Sequence, residues 1–588
     1  MSTDLDVSAR PVAHLPLVRA IVEQLGILDV VDELCPKHPL NRVSDAECVL
    51  SMVYNVLSGR PALYRMQDWI GLLDAEVLFG AGADPAAFHD TWLADALDHL
   101  DEVGTDNVLS RVVTKFLHHP DQPRAFSVHH DTTSVVLYGA YNGVADPRPA
   151  YGFSKDHRPD LKQLIFGLTL HGAAGIPLVT SIQAGNTADS SVARDHLAKL
   201  TKLLPDEHEV TFVGDCKLVD PTTLGRILAA GLHFVSLVPD SYKLRRDLIE
   251  GMFAEHPDPA HWPLLAEKPG RRKEHELSAY RGRSTIRPFR TMLEDEHGIG
   301  PESQEDLKFL VVHSDVLAAK FDRGLADRMA KEVKALDKSA KKLNRKGFDC
   351  EADARAAGDV LQAGAKFHLV AVTVVEEEEP IKRSGPGRPR NGDAATTRRV
   401  WRVQAAYTAD DAGIASTRNR AGCFVLVTDW LDDWSDERIL AEYRHQYIVE
   451  GHTGFRWLEG PAAVAPVFLK TPARIRAMGL VLVLALMVRN YIQATMRRTL
   501  RERGETVPHP FTKKPEANLT TEMAFEHFAG IQAIVVRTPD GVTRLPIRIG
   551  PVATRLLALF GLDAAAFQPP TRRSRRISSP RLGGTPGM

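Results

Sequence analysis

Apolar residues recur at three-to-four spacing through Leu15–Leu25 and again through Ala46–Leu57, which predicts two amphipathic helices. Ser44 and Asp45 supply a cap before the second, and Gly59 ends it. Residues 1 to about 120 read in this way as a mostly helical domain. After that the period shortens to two, and short apolar runs predict strands over 126–131, 163–170, 176–183, 210–215 and 233–239. The glycine-rich His171–Gly175 joins the second and third as a hairpin. Helices are expected between them at 191–204 and 221–230, giving the order βββαβαβ.

From about 241 to 420 the pattern loses this regularity. A lysine-rich helix over 325–343 is followed by strands over 367–375 and 399–405. These flank Glu376–Glu379 and a turn-rich stretch containing Gly387-Arg-Pro389. The reading is a mixed insertion with a β-rich second half. Strand 423–428 then resumes the core, and Ser435 caps a helix whose Asp436 and Glu437 suit its N-terminal dipole. A buried helix covers roughly 471–500, and a closing segment from 501 ends in the basic tail Arg572–Arg576, expected to lack fixed structure. The strongest apolar run, Ala477–Val488, is too short to span a bilayer and reads as core.

Chemistry enters at two strand ends. Asp131 closes Phe126–Asp131, and Asp215 closes Val210–Asp215. Acids ending the first and fourth strands of that order are what a ribonuclease-H-like core requires; no glycine-rich turn follows the first strand, which argues against a dinucleotide fold. Further on, Tyr443, Tyr447 and Glu450 stand at i, i+4 and i+7 and would share one helix face, with Arg444 and Gln446 beside it. Three carboxylates suit two hard divalent cations. Thr132, Thr133 and Ser134 offer hydroxyls to orient Asp131. His129 and His130 read as ordinary strand histidines. Asp189 reads as a helix cap, and Trp430, Trp434 and Trp457 as core. Lys155, His157 and Arg158 form a basic loop before the second strand that suits phosphate contact.

Composition narrows the class only a little. The 588 residues are 44% apolar and 25% charged, too long for one ordinary core. With 73 basic against 75 acidic side chains, the chain is not uniformly basic, so nucleic-acid contact would depend on local patches. The five cysteines are scattered without a CxxC pair, which signals neither zinc nor a disulfide framework. The acidic start lacks a signal-peptide core, so a soluble cytoplasmic protein with no membrane partner is expected.

Several segments together resemble the DDE transposases of bacterial insertion sequences. They are Tyr151–Asp160, Gly185–Ser190, Val213–Lys217, and Tyr443–Glu450 followed by Phe455–Leu458. The similarity is to the group with a tyrosine-arginine-glutamate-lysine signature and an insertion before the glutamate. It implies an α/β multidomain chain: a helical N-terminal domain (1–120) that reads DNA ends, a ribonuclease-H-like core (121–240 and 421–500) split by an insertion (241–420), and a C-terminal segment (501–588). It implies Asp131, Asp215 and Glu450 as catalytic triad and ligands of two Mg²⁺ or Mn²⁺ ions, with Tyr443 as signature tyrosine. The signature arginine falls on Gln446, with Arg444 near. The lysine position falls on Trp457, and Arg456 is taken as its substitute. The implied partners are double-stranded DNA, both terminal inverted repeats and target, and a second copy on paired ends, at a bacterial nucleoid. A structure-selective nuclease and an inactive transposase-derived DNA-binding protein are the alternatives.

Overall fold

The computed structural model describes residues 6–37, 41–59, 62–120, 122–137, 147–152, 158–205, 208–268, 278–295, 298–345, 347–380, 397–451, 453–458, 471–538 and 541–570. The fold is mixed α/β and divides into two compact units. The first holds residues up to Val235, Thr291–Ser303 and everything from Glu442 onward; the second holds Ser236–Arg290 and Gln304–Ala441. The strands are β1 (Asp6–Pro11), β2 (Ala125–Leu137), β3 (Lys162–His171), β4 (Pro177–Ala184), β5 (Glu209–Gly214), β6 (His233–Leu237), β7 (Leu264–Lys268), β8 (Ser278–Asp295), β9 (Gly298–Ser314), β10 (His368–Pro380), β11 (Thr397–Ala409) and β12 (Cys423–Thr428), with short pieces later in the chain.

In the first unit the sheet order is β4-β3-β2-β5-β6. β2 and β3 are antiparallel from Val128↔His171 to Leu137↔Lys162, and β3 and β4 are antiparallel through the expected hairpin. β5 lies parallel to β2, from Ala125↔Glu209 to His129↔Val213. A parallel neighbour needs a crossover, and the Asp189–Thr201 helix supplies it. β2 does not end at Asp131 as the pattern implied. The β-branched Thr132, Thr133, Val135 and Val136 carry its ladder with β3 six residues further, so Asp131 sits just beyond the point where β5 stops pairing.

The Pro472–Arg503 helix is the spine of this unit. It packs on the Leu15–Gln24, Asp45–Leu57, Asp90–Glu102 and Thr105–Leu117 helices and on β4. By length and composition it could cross a membrane, yet 78% of its most apolar 18-residue window is buried inside the fold. Its first turns are tied by Arg474 to Asp98 (2.9 and 2.6 Å) and by Arg476 to Asp101 (both 2.7 Å). The boundary expected near residue 120 is therefore not a boundary between compact units: the early helices bury their apolar faces against a helix from the far end of the chain. A strand missed by the pattern makes the same point. β1 pairs antiparallel with Gln532–Thr538, from Asp6↔Arg537 to Pro11↔Gln532, and Gly541–Arg544 adds a third strand.

In the second unit the order is β12-β9-β8-β7, and β10 with β11 forms a long separate hairpin. The acidic run of β10 faces arginines across that hairpin: Arg402 lies 2.7 Å from Glu377 and Arg398 lies 3.1 Å from Glu379. Leu336, Leu361 and Val370 make a small core under it. Gly387-Arg-Pro389 and Arg572–Arg576 lie outside the described residues.

Candidate functional site

On β2 the pleat sends alternate side chains to opposite faces. His130 and Thr132 point to the Asp189–Thr201 helix. His130 Nδ1 is 3.0 Å from Thr169 Oγ1, which is 2.9 Å from His196 Nδ1, and His196 Nε2 is 2.8 Å from Ser181 Oγ. Thr132 donates its hydroxyl to Asp189 (2.8 Å), which also pairs with Lys217. The hydroxyl of Thr132 thus bonds Asp189, while its backbone N–H donates to the Asp131 carboxylate (2.8 Å). Asp189 lies in the first turn of its helix, one place past the Ala188 cap, and is not itself the cap.

Ser127, His129 and Asp131 occupy the other face. There the chain that carries Glu450 approaches, and it is not one continuous helix. The Asp436–Arg444 helix stops, His445 and Gln446 turn, and Tyr447–Glu450 forms a separate single turn. The bonds through the turn are of the i→i−3 kind: Gln446 N–H to Tyr443 O (3.0 Å), Ile448 N–H to His445 O (2.9 Å) and Val449 N–H to Gln446 O (3.1 Å). Tightening rotates the later residues, so Tyr447 is exposed while Tyr443 is half-buried. Tyr443 and Tyr447 therefore do not lie on one continuous helix.

The turn is held by Gln446, whose amide is buried and used at both ends. Its Nε2 donates to the His130 carbonyl (2.7 Å), and its Oε1 is 3.1 Å from His129 Nδ1. Gln446, which stands at the place of the signature arginine, latches the turn to β2. Gln446→Leu leaves a buried carbonyl and a buried imidazole N–H without their partner. The expected loss is about 3 kcal/mol, read as a lower denaturant midpoint, since each orphaned group costs roughly 1–3 kcal/mol. An unchanged midpoint would remove Gln446 from this role.

Tyr443 carries the electrostatics of the site. Burial pushes its phenol well above the ordinary range, and the charges of Asp215, Cys216, Glu450 and Asp131 push it the same way. One phenol thus feels all three of the acids singled out in the sequence and stays protonated. Asp131 and Asp215 are half-buried and Glu450 is exposed. Asp215 accepts from the Lys217 N–H (3.0 Å) at the start of a short 3₁₀ turn.

The segment after Glu450 is braced from the long helix. Asn490 donates to the carbonyls of Gly175 and Thr453 (both 2.7 Å), and Thr453 donates to the Ile448 carbonyl (2.6 Å). A Cβ on Gly454 would collide with the Val449 carbonyl, so only glycine fits there. At the position where a lysine was sought, Trp457 has the Arg489 guanidinium 5.4 Å from its ring centre. Arg489 is buried and bonded to Glu522 (2.6 Å), so its charge is already matched inside the fold.

The remaining basic candidates scatter. Arg456 is exposed on the Phe455–Leu458 turn, and Arg444 is half-buried at its helix end. Arg158 is exposed but bound through two bonds to Asp160 (2.9 and 2.7 Å), which lowers the charge it offers to phosphate. Lys155 and His157 lie outside the described residues. Trp430 and Trp434, in the second unit, are buried and stacked at 4.9 Å, as core residues would be.

A cluster that the sequence reading passed over lies beside the acids. His129 Nε2 is 3.1 Å from Glu442 Oε1, the His445 ring stands 5.2 Å from that of His129, and one ligating atom of each lies within 4.8 Å of the others. Burial pushes the Glu442 carboxyl up, but bonds with His129 and Ser127 more than offset this and hold it below its usual value. The only signal in the sequence was the spacing of Glu442 and His445; their partner is over 300 residues away.

Residues 7–114 match a family described as a domain of unknown function (DUF4277). No curated protein matches the chain. Among solved structures the chain is similar to a cryo-EM structure of the piggyBac transposase synaptic complex with hairpin DNA. The identity is 7%, the match covers 89% of this chain and 82% of that one, and the TM-score is 0.34. A likeness that loose carries no argument about residues.

Proposed function

We propose that this chain is a DDE transposase: it cuts DNA at the ends of an insertion sequence and joins the freed 3′ ends to target DNA. The observation that carries the reading is the one phenol, Tyr443, that feels Asp131, Asp215 and Glu450 together. It is supported by the strand order β4-β3-β2-β5-β6, which is that of a ribonuclease-H-like core, and by the motifs around each acid.

The three carboxylates would supply the oxygen donors such chemistry uses, although among the described residues only His129, Glu442 and His445 bring their ligating atoms within 4.8 Å of one another. All donors are oxygen and the set is strongly negative, which suits two Mg²⁺ or Mn²⁺ ions. When bound, such ions supply an activated water and stabilise the leaving 3′ oxygen. The protein's own part is positioning. Asp131 is oriented by the Thr132 N–H and Asp215 by the Lys217 N–H. The Tyr443 phenol, held protonated, donates to a phosphate oxygen, and Arg444 and Arg456 offset phosphate charge. The helices before residue 120 read the terminal repeats, and two copies act on paired ends.

The test uses the full chain, DNA carrying the inverted repeats that flank its coding region, and a target plasmid. Mg²⁺-dependent nicks at the repeat ends followed by joined products are expected. Nicks without joining would turn the reading into a nuclease, and tight binding without nicks into a DNA-binding protein.

A further inference from the structure

We propose that His129, Glu442 and His445 bind one zinc ion at a site beside the three carboxylates and independent of them. The geometry fixes which atom of His129 is offered. Gln446 donates through Nε2 to the His130 carbonyl, so its Oε1 must face His129 Nδ1. That oxygen can only accept, so Nδ1 carries a proton. Nε2 faces the Glu442 carboxylate, 3.1 Å away, with Ser127 Oγ at 3.3 Å. His129 is fully buried. In the metal-free protein a proton between Nε2 and that carboxylate makes the bond, and a metal ion can take the proton's place.

His445 makes the third donor. Its ring stands 5.2 Å from that of His129, and one of its nitrogens lies within 4.8 Å of the ligating atoms of His129 and Glu442. Two imidazoles and one carboxylate are a tetrahedral zinc set with a fourth position for water, and their nitrogen content disfavours Mg²⁺ and Ca²⁺. The His129–Gln446 bond is the outer partner that metal-bound histidines characteristically have. Tetrahedral zinc ligands stand roughly 3.3 Å apart, so closing the three donors from 4.8 Å needs a movement of up to about 1.5 Å. The ion would pin the end of the Asp436–Arg444 helix to β2, next to Tyr443 and Asp131.

The experiment strips the full-length protein with a chelator and titrates it with Zn²⁺ in excess Mg²⁺, which occupies carboxylate-only sites. One equivalent of tightly bound Zn²⁺ is expected. His445→Ala and Glu442→Gln should each weaken it by more than about 100-fold, the upper end of what losing an outer partner costs; Asp131→Asn should leave it unchanged. Cobalt(II) in the unmutated protein gives a second readout that needs no variant. Intense tetrahedral visible bands support the site, whereas the weak bands of an octahedral oxygen shell overturn it. Thiolate charge-transfer bands would also overturn it, because they place the ion on Cys216 or another cysteine. Undiminished Zn²⁺ binding in both variants, or its loss in Asp131→Asn, sinks the proposal. None of these readouts involves DNA, so failure here leaves the proposed function standing, and the reverse holds.

Discussion

Asp131→Asn is expected to abolish the proposed Mg²⁺-dependent cutting of repeat-end DNA while binding to the same DNA is retained. Asparagine keeps the shape and the oxygen that accepts from the Thr132 N–H (2.8 Å), so the strand is undisturbed. What it removes is one of the negative charges around Tyr443, in the proposed reading a metal ligand. A bound divalent ion contributes several kcal/mol of charge stabilisation; losing about 4 kcal/mol of it slows the reaction about a thousandfold. A functional cluster of like charges is held at the expense of stability, so the variant should be at least as stable as its parent. Tyr443, relieved of one neighbouring charge, should titrate at lower pH, visible as phenolate absorbance. Single-turnover cleavage, filter binding and denaturant unfolding check the three parts. Cleavage at the parental rate would remove Asp131 from the chemistry altogether.

The first unit should lose stability steeply in mild acid, and His171 should account for about 3 kcal/mol of the loss by pH 4. Burial against Phe126 and Phe116 drops the His171 pKa to about 4, helped by His129. Burial likewise holds His196 well below its ordinary value. Below pH 6.5 the unfolded chain takes up a proton on each ring that the folded chain refuses. Stability is therefore complete at neutral pH and falls as the pH drops toward the folded pKa, at up to about 1.4 kcal/mol per pH unit for each ring. Denaturant unfolding from pH 7.5 to 4 on the parent and on His171→Phe measures it. Whatever the variant's stability at pH 7, its curve against pH should be shallower by the His171 share. Parallel curves would mean that His171 is protonated in the folded chain.

What could be read ahead was local. The runs of Val, Ile, Leu and Phe that make β3 and β5 announce themselves, as does Ser44 with Glu47 at the start of a helix, where the two make a reciprocal cap. Asp131 and Asp215 are singled out for closing such runs; Asp215 does follow the end of β5, whereas β2 runs on past Asp131. What escaped depended on distant partners. β1 is six residues, Asp-Val-Ser-Ala-Arg-Pro, with no strong alternation, and becomes a strand only because Gln532–Thr538 lies beside it. The turn at His445–Gln446 looks like helix in sequence; the buried bonds of Gln446 to β2 break it, and nothing in the local spacing foretells them. His129 looked like an ordinary strand residue because Glu442 and His445 come to it through tertiary folding alone.

The pairing of β1 with a strand near residue 535 bears on the order in which the chain can fold during synthesis. When the ribosome has made the helices before residue 120, both the strand that completes β1 and the long helix that covers their apolar faces are some 350 to 400 residues from being translated. The second unit, by contrast, finds its strand and hairpin partners between residues 236 and 441 and can close first. Until release, the early helices therefore stand as an uncovered apolar surface, the part of this protein most in need of a holding chaperone.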